Sequence, residues 1–219
     1  MLGKFYNNQQ GKFYIPTESQ HRPAAQTIIN GNIWEPQTQE WMKTCYKGGS
    51  IIHAGCYFGD ALPFLSELAK NDTVWTFEPN NVNYLCALKT IIANNLNNVK
   101  IFNLALSNEE KMLELLTQED GILLGGSSTI QSNGDQSCIS IPLDDFIHDE
   151  KIGLIHLDIE DHEIYALQGS LKIITKHLPA LIIEDLQQQL EKDPWMIEHI
   201  QSLGYQKKAY VHGNLILDE

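Results

Sequence analysis

Basic residues are scarce in this chain. Lysines and arginines number 15 against 28 aspartates and glutamates, a formal charge of -13 over 219 residues. So acidic a surface repels phosphate backbones and anionic lipid head groups within a Debye length, so neither nucleic acid nor membrane is expected as a partner. Cysteine is also scarce. Cys45, Cys56, Cys86 and Cys138 lie far apart, without the paired spacing of a zinc site, and predict free thiols in a reducing, cytoplasmic setting. No stretch approaches the roughly 18 consecutive apolar residues of a membrane-spanning helix, and residues 1–10 lack the apolar run of a secretion signal. There is no Pro-Pro pair, and so no Asn/Asp-Pro-Pro-aromatic motif of base-methylating enzymes. The 42% of hydrophobic residues suffices for one sizeable core.

Residues 1–49 lack a sustained period and read as a loop-rich lead-in packed on the domain, with a short helix near 37–46. From Ser50 the texture changes. Short apolar runs at 51–54, 74–77, 99–102, 154–157 and 180–183 alternate with amphipathic segments, the pattern of β-α units feeding a parallel sheet. Leu85, Leu88, Ile92 and Leu96 predict one helical stripe facing the sheet. Ile164, Leu167, Leu171, Ile174 and Leu178 predict another. Asp193-Pro194 reads as an N-cap with proline at the first helical position, and Gly204 as the stop. Residues 205–210 and 214–217 flank His212-Gly213 as an antiparallel hairpin. The domain is expected to span 50–219.

Three clusters carry chemistry. The first strand ends in Gly55-Cys56-Tyr57-Phe58-Gly59-Asp60, a glycine turn at the carboxyl end of a strand, where ligands dock in open parallel sheets. The second strand ends in Glu78-Pro79, whose carboxylate suits a ribose diol. A pyrophosphate fingerprint would need glycine at 57 and 60. Tyr57 and Asp60 stand there instead, and suit a zwitterionic amino-acid end such as that of S-adenosylmethionine. The third cluster, Asp158-Ile159-Glu160-Asp161-His162-Glu163, follows the fourth strand. Asp161 and Glu163 read as helix caps; Asp158, Glu160 and His162 are the candidate catalytic groups. Glu184-Asp185 ends the fifth strand and should meet them across the rim. Carboxylates so gathered suit Mg²⁺, but nothing in the spacing demands a metal. Gly125 to Thr129 reads as a lid, a hydroxyl-lined wall or a plain loop, and His53 and His156 as hydrogen-bonded core histidines.

With these residues in view, the chain resembles the FkbM family of methyltransferases over residues 33–217. The resemblance rests on Trp34-Glu35-Pro36, His53-Ala54-Gly55-Cys56-Tyr57-Phe58-Gly59-Asp60, Phe77-Glu78-Pro79-Asn80, Asn103-Leu104-Ala105-Leu106-Ser107, Leu143-Asp144-Asp145-Phe146 and the stretch from Leu157 to Glu163, in the family's order. It implies a class I, Rossmann-like α/β fold: a seven-stranded, mostly parallel sheet with a C-terminal antiparallel hairpin and helices on both faces. It also implies S-adenosyl-L-methionine as methyl donor, and a hydroxyl on a sugar, polyketide or other small molecule as acceptor. By the same resemblance Gly55 to Gly59, with Cys56, Tyr57 and neighbouring Asp60, hold the methionine part. Glu78, with Pro79 and Asn80, holds the ribose, and Leu104 and Ala105 the adenine edge. Two positions depart from the pattern: His53 stands where many members have aspartate, and Asp161 where many have glycine.

An alcohol acceptor gains from a base that takes its proton as the bond forms, the role open to Asp158, Glu160 or His162. Two rival readings remain: a nicotinamide-dependent oxidoreductase on a related sheet, opposed by Tyr57 and Asp60, and a non-catalytic binding protein that keeps the fold.

Overall fold

The protein is described by a computed structural model covering residues 2–219. Its lead-in is more regular than the sequence suggests. Strands β1 (Gly3–Asn8) and β2 (Gly11–Pro16) form an antiparallel hairpin, followed by helices α1 (Pro23–Ile29) and α2 (Pro36–Cys45). The helix expected near 37–46 is α2; the hairpin and α1 were not expected. Phe13, Ile15, Ala25 and Ile28 from this segment are fully buried against Tyr57, Phe58 and Cys86. Contacts so distant in sequence, rather than any local period, hold the segment in place.

Then comes the alternation: β3 (Ser50–Ala54), α3 (Leu62–Leu68), β4 (Val74–Phe77), α4 (Asn81–Asn94) and β5 (Val99–Phe102). Short strands β6 (Ala105–Leu106), β7 (Lys111–Leu116), β8 (Gln118–Glu119), β9 (Ile122–Leu123), β10 (Thr129–Ile130) and β11 (Gln136–Ile141) follow. Helix α5 (Leu143–Phe146), β12 (Ile152–Leu157), α6 (Glu163–Gln168), α7 (Leu171–His177), β13 (Ala180–Glu184), α8 (Pro194–His199), β14 (Gln206–Val211) and β15 (Asn214–Asp218) complete the chain. The five apolar runs are the five parallel strands, and β14-β15 is the expected hairpin, giving the order β14-β15-β13-β12-β3-β4-β5. Every residue of β3 and β12 is buried, as strands covered on both faces must be. Helices α2, α3 and α4 pack on one face through Met42, Leu62, Leu65 and Ile91. The other face is covered by α5 to α8 through Leu143, Leu167, Ile174 and Met196.

Two predicted stripes are corrected. On α4 the buried face is Asn83, Cys86, Ala87, Thr90 and Ile91, while Leu85 and Ile92 are exposed. The polar residues win that face because they find partners there: Thr90 Oγ1 donates to Phe58 O and accepts from Tyr14 N, and Asn83 Nδ2 donates to Gly125 O. The stripe from Ile164 to Leu178 belongs to two helices, α6 and α7, broken at Gly169-Ser170. Gly169 packs so tightly that a Cβ there would lie 2.0 Å from Ser107 O, and Asp144 caps α7 from outside by accepting from Lys172 N and Ile173 N. At α8 the reading holds, with Asp193 Oδ1 accepting from Trp195 N and Met196 N and Gly204 at φ 103°.

Residues 103–141 build a second sheet, β10-β7-β11-β6, which no pattern in the sequence announced. It stands over the carboxyl ends of the main strands. Between β3 and β12 the chain reverses its direction of travel across the main sheet, the switch point at which open α/β sheets bind ligands.

Candidate active site

Gly55 leaves β3 and Asp158 leaves β12 side by side. Gly55 has φ 84°, and a Cβ on it would lie 1.6 Å from Asp158 O, so only glycine lets the two loops meet. The loops themselves are strained, since Tyr57, Glu160 and Asp161 are non-glycine residues at φ 50°, 55° and 68°. The last is a conformation that glycine adopts without strain.

Glu78 ties the turn to β4. Its Oε2 accepts from Tyr57 N at 2.8 Å and its Oε1 from Asn80 N at 2.9 Å. Burial raises its pKa to about 7 against the pull of those N–H groups. Beside it lies an apolar slot formed by Phe77, Leu104, Ala105, Leu106, Leu115 and Ile130, with Pro79 at its edge. Across the slot stand Asp158, Glu160 and His162. His162 Nε2 pairs with Ser107 Oγ at 3.0 Å, the ring stacks on Tyr165, and burial, helped by Lys111, lowers its pKa to about 4.

Not every residue singled out from the sequence faces this slot. Cys56 is fully buried beneath the turn, with its thiol pushed up by burial, and Gly59 closes the turn by donating to Cys56 O. Asn80 caps α4, its Oδ1 accepting from Val82 N and Asn83 N, and Nδ2 donates to Ser128 Oγ. These three shape the site from behind. Asp185 likewise caps the following turn through Gln189 N and Leu190 N, while Glu184 alone reaches the rim. Glu163 accepts from Ile159 N.

A second, larger cavity of about 220 Å³ opens on the other side of Gly55 and Asp158. Its walls include Arg22, Trp34 and Glu35 from the lead-in, Tyr57 and Asp60 from the turn, Gly126 and Ser127, and Glu160 and Glu184. Arg22 and Glu35 gave no signal as site residues in the sequence, because tertiary packing alone brings the lead-in here. Arg22 is the chain's single arginine. Burial raises the pKa of Asp60 and Glu160 to about 7, with Glu184 adding to the effect on Glu160. Asp158 is pushed well up, first by burial and then by the facing Glu184. Asp158, Glu160 and Glu184 each place a carboxylate oxygen within 4.8 Å of the others, the one such set among the described residues that could hold a divalent cation. His162 does not line this cavity.

The site thus joins a glycine turn, a buried acid one strand over and an apolar slot at the switch point of the expected sheet. The family model for the methyltransferase FkbM domain matches residues 53–207. The chain belongs to the FkbM methyltransferase family. Among solved structures, the methyltransferase FkbM from Methylobacillus flagellatus KT is similar at 19% identity, with 78% of this chain and 44% of that one covered and a TM-score of 0.59. This FkbM-family chain thus matches less than half of that protein's length. A methyltransferase from Geobacter sulfurreducens is 12% identical, with 85% and 79% covered and a TM-score of 0.49. No curated protein sequence matches significantly. The likeness to the Methylobacillus structure bears out the fold.

Proposed function

We propose that this protein uses S-adenosyl-L-methionine to methylate a hydroxyl oxygen of a sugar or other small molecule. The observation that carries the reading is that the apolar slot and the larger cavity share a wall, Gly55, Asp158 and Glu160. A donor in one and an acceptor in the other meet there. The slot suits the cofactor: Leu104 and Ala105 line an apolar space for the adenine, and Glu78 lines it too, for the ribose hydroxyls. Asp60, beside the methionine end, opposes a pyrophosphate. When bound, S-adenosylmethionine supplies an electrophilic methyl group on a sulfonium.

The chain's own contribution is alignment in a closed pocket, worth many kilocalories in a displacement reaction, and a place for the acceptor's proton. Glu160 fits that role best of the three candidates. Its pKa of about 7 is matched to neutral pH, and it lines both cavities. Asp158, held against Glu184, retains a proton and orients the acceptor. His162 serves the wall of the slot. The 220 Å³ cavity, ringed with carboxylates and carrying one guanidinium, suits a polyhydroxylated small molecule rather than a polyanion. Four buried free thiols fit a cytoplasmic setting.

Calorimetric titration with S-adenosylmethionine and, separately, with NAD tests the cofactor. Expected are binding of the first only, and a loss on the order of tenfold or more in Glu78→Ala. Binding of NAD instead would overturn the reading. With an acceptor found, Glu160→Gln should lower kcat by roughly 10²–10⁴-fold and leave cofactor affinity alone, whereas His162→Gln should act mainly on cofactor KM.

A further inference from the structure

We propose that Arg22 sets the choice of acceptor by holding one carboxylate of it, so that the substrate is a hydroxylated molecule with a single acidic group, of the uronic-acid kind. This deepens, and rests on, the reading of the larger cavity as the acceptor site. Arg22, the chain's single arginine, lines that cavity together with Gly55, Asp158 and Glu160, the wall shared with the apolar slot.

The residue is fixed at its base and free at its tip. Its main-chain N–H donates to Ser19 O at 3.1 Å and its carbonyl accepts from Gln26 N at 2.9 Å. Pro23 follows at the first position of α1, and Ala24 and Ala25 are buried, so the main chain is anchored where the side chain departs. The guanidinium, by contrast, makes no hydrogen bond or ion pair with any described residue, and its Nε is buried without a partner. Its charge nonetheless reaches Tyr57 and Glu160, both walls of the cavity, and favours the ionised form of each. The guanidinium is thus close to the reacting end of the cavity without being neutralised there.

A buried N–H without an acceptor is costly, and five carboxyl groups line the same cavity, yet none of them takes it. Burial raises all five: Glu35, Asp60 and Glu160 to about 7, Asp158 well up, and Glu184 in the same direction. Near neutral pH these groups retain much of their protons, whereas a guanidinium keeps its charge. The one permanent charge in the cavity is therefore positive. A carboxylate answers it with two parallel N–H···O bonds to the planar fork, and a phosphate dianion would bring a second negative charge into a ring of acids. Trp34 adds an apolar wall for the body of a sugar ring.

A lone arginine makes the test direct. Phenylglyoxal, an arginine-selective reagent, should modify the whole chain at Arg22, read by peptide mass mapping. Glucuronate or galacturonate, added to the S-adenosylhomocysteine complex, should slow that modification roughly tenfold or more, while glucose and galactose at the same concentration leave it unchanged. Calorimetry on the same complex should show a matching preference for the sugar acid, which Arg22→Gln erases and Arg22→Lys restores only in part, since an ammonium brings the charge without the fork. An unchanged Tm and unchanged affinity for S-adenosylhomocysteine would report that the variants are folded. Absence of modification would mean that the guanidinium is already engaged and would overturn the proposal. So would protection by the acids no greater than by the neutral sugars, stronger protection by glucose 6-phosphate, or a preference that survives Arg22→Gln. Protection by S-adenosylhomocysteine alone would give Arg22 to the donor and overturn it as well. Failure of S-adenosylhomocysteine to bind would instead sink the cofactor reading, and the same modification series on the free protein would then decide the role of Arg22 by itself.

Discussion

Gly55 is the residue on which the site turns. A methyl group there meets the carbonyl of Asp158 at 1.6 Å, and φ of 84° disfavours any side chain. Gly55→Ala should therefore cost roughly 2–4 kcal/mol, measured by urea denaturation, and push β3 and β12 apart so that cofactor affinity falls with it. Asp161 is the opposite case. At φ 68° it carries strain that glycine would relieve, and Asp161→Gly should raise stability by about 0.5–1 kcal/mol, read as a higher Tm. These glycine and acid positions were legible in the sequence because a tight turn after a buried strand leaves a local signature. Arg22 and Glu35 were not legible: nothing near either residue says that it ends beside Asp158.

The elements divide along the same line. Strands buried on both faces announce themselves as apolar runs, so the five parallel strands could be placed from the sequence. Helix α4 could not be oriented, because a buried polar face satisfied by Phe58 O, Tyr14 N and Gly125 O looks like an exposed one. In the second sheet, β6 and β10 have two residues each, too few for a period to register. Helix α7 shows what periodicity omits. Its apolar spacing runs on from α6, yet it begins anew under the carboxylate of Asp144, a cap supplied from 28 residues upstream. Asp144→Ala should lower stability by about 1 kcal/mol, and a thermal melt should show it; an unchanged Tm would mean that the main-chain turn at Gly169 suffices to start the helix.

At the scale of the molecule, the gathered acids set the response to pH. Glu35, Asp60, Glu78, Glu160 and Glu163 have pKa values raised to about 7, chiefly by burial. Folded, they hold protons that the unfolded chain has released above its ordinary carboxylate range. Their contribution is present below pH ~4.5 and is lost as pH rises through about 7. His156 and His162, lowered to about 4, act oppositely and lose stability as pH falls below ~6.5. With Asp158 and Glu184 also raised and His53 and His177 also lowered, seven acids outweigh four histidines, and a net charge of -13 adds to the same side. The ligand-free protein should therefore melt at a higher temperature at pH 5.5 than at pH 8 in low salt, and a flat profile would mean that water reaches these carboxylates freely.

The lead-in supplies Arg22, Trp34 and Glu35 to the larger cavity, while the matched family domain runs from 53 to 207. Five residues of its lining, Arg22, Pro23, Ala24, Trp34 and Glu35, thus come from chain ahead of the matched domain. Substrate choice in such an arrangement can drift by exchange of a leading cassette of about fifty residues, with the catalytic body inherited intact.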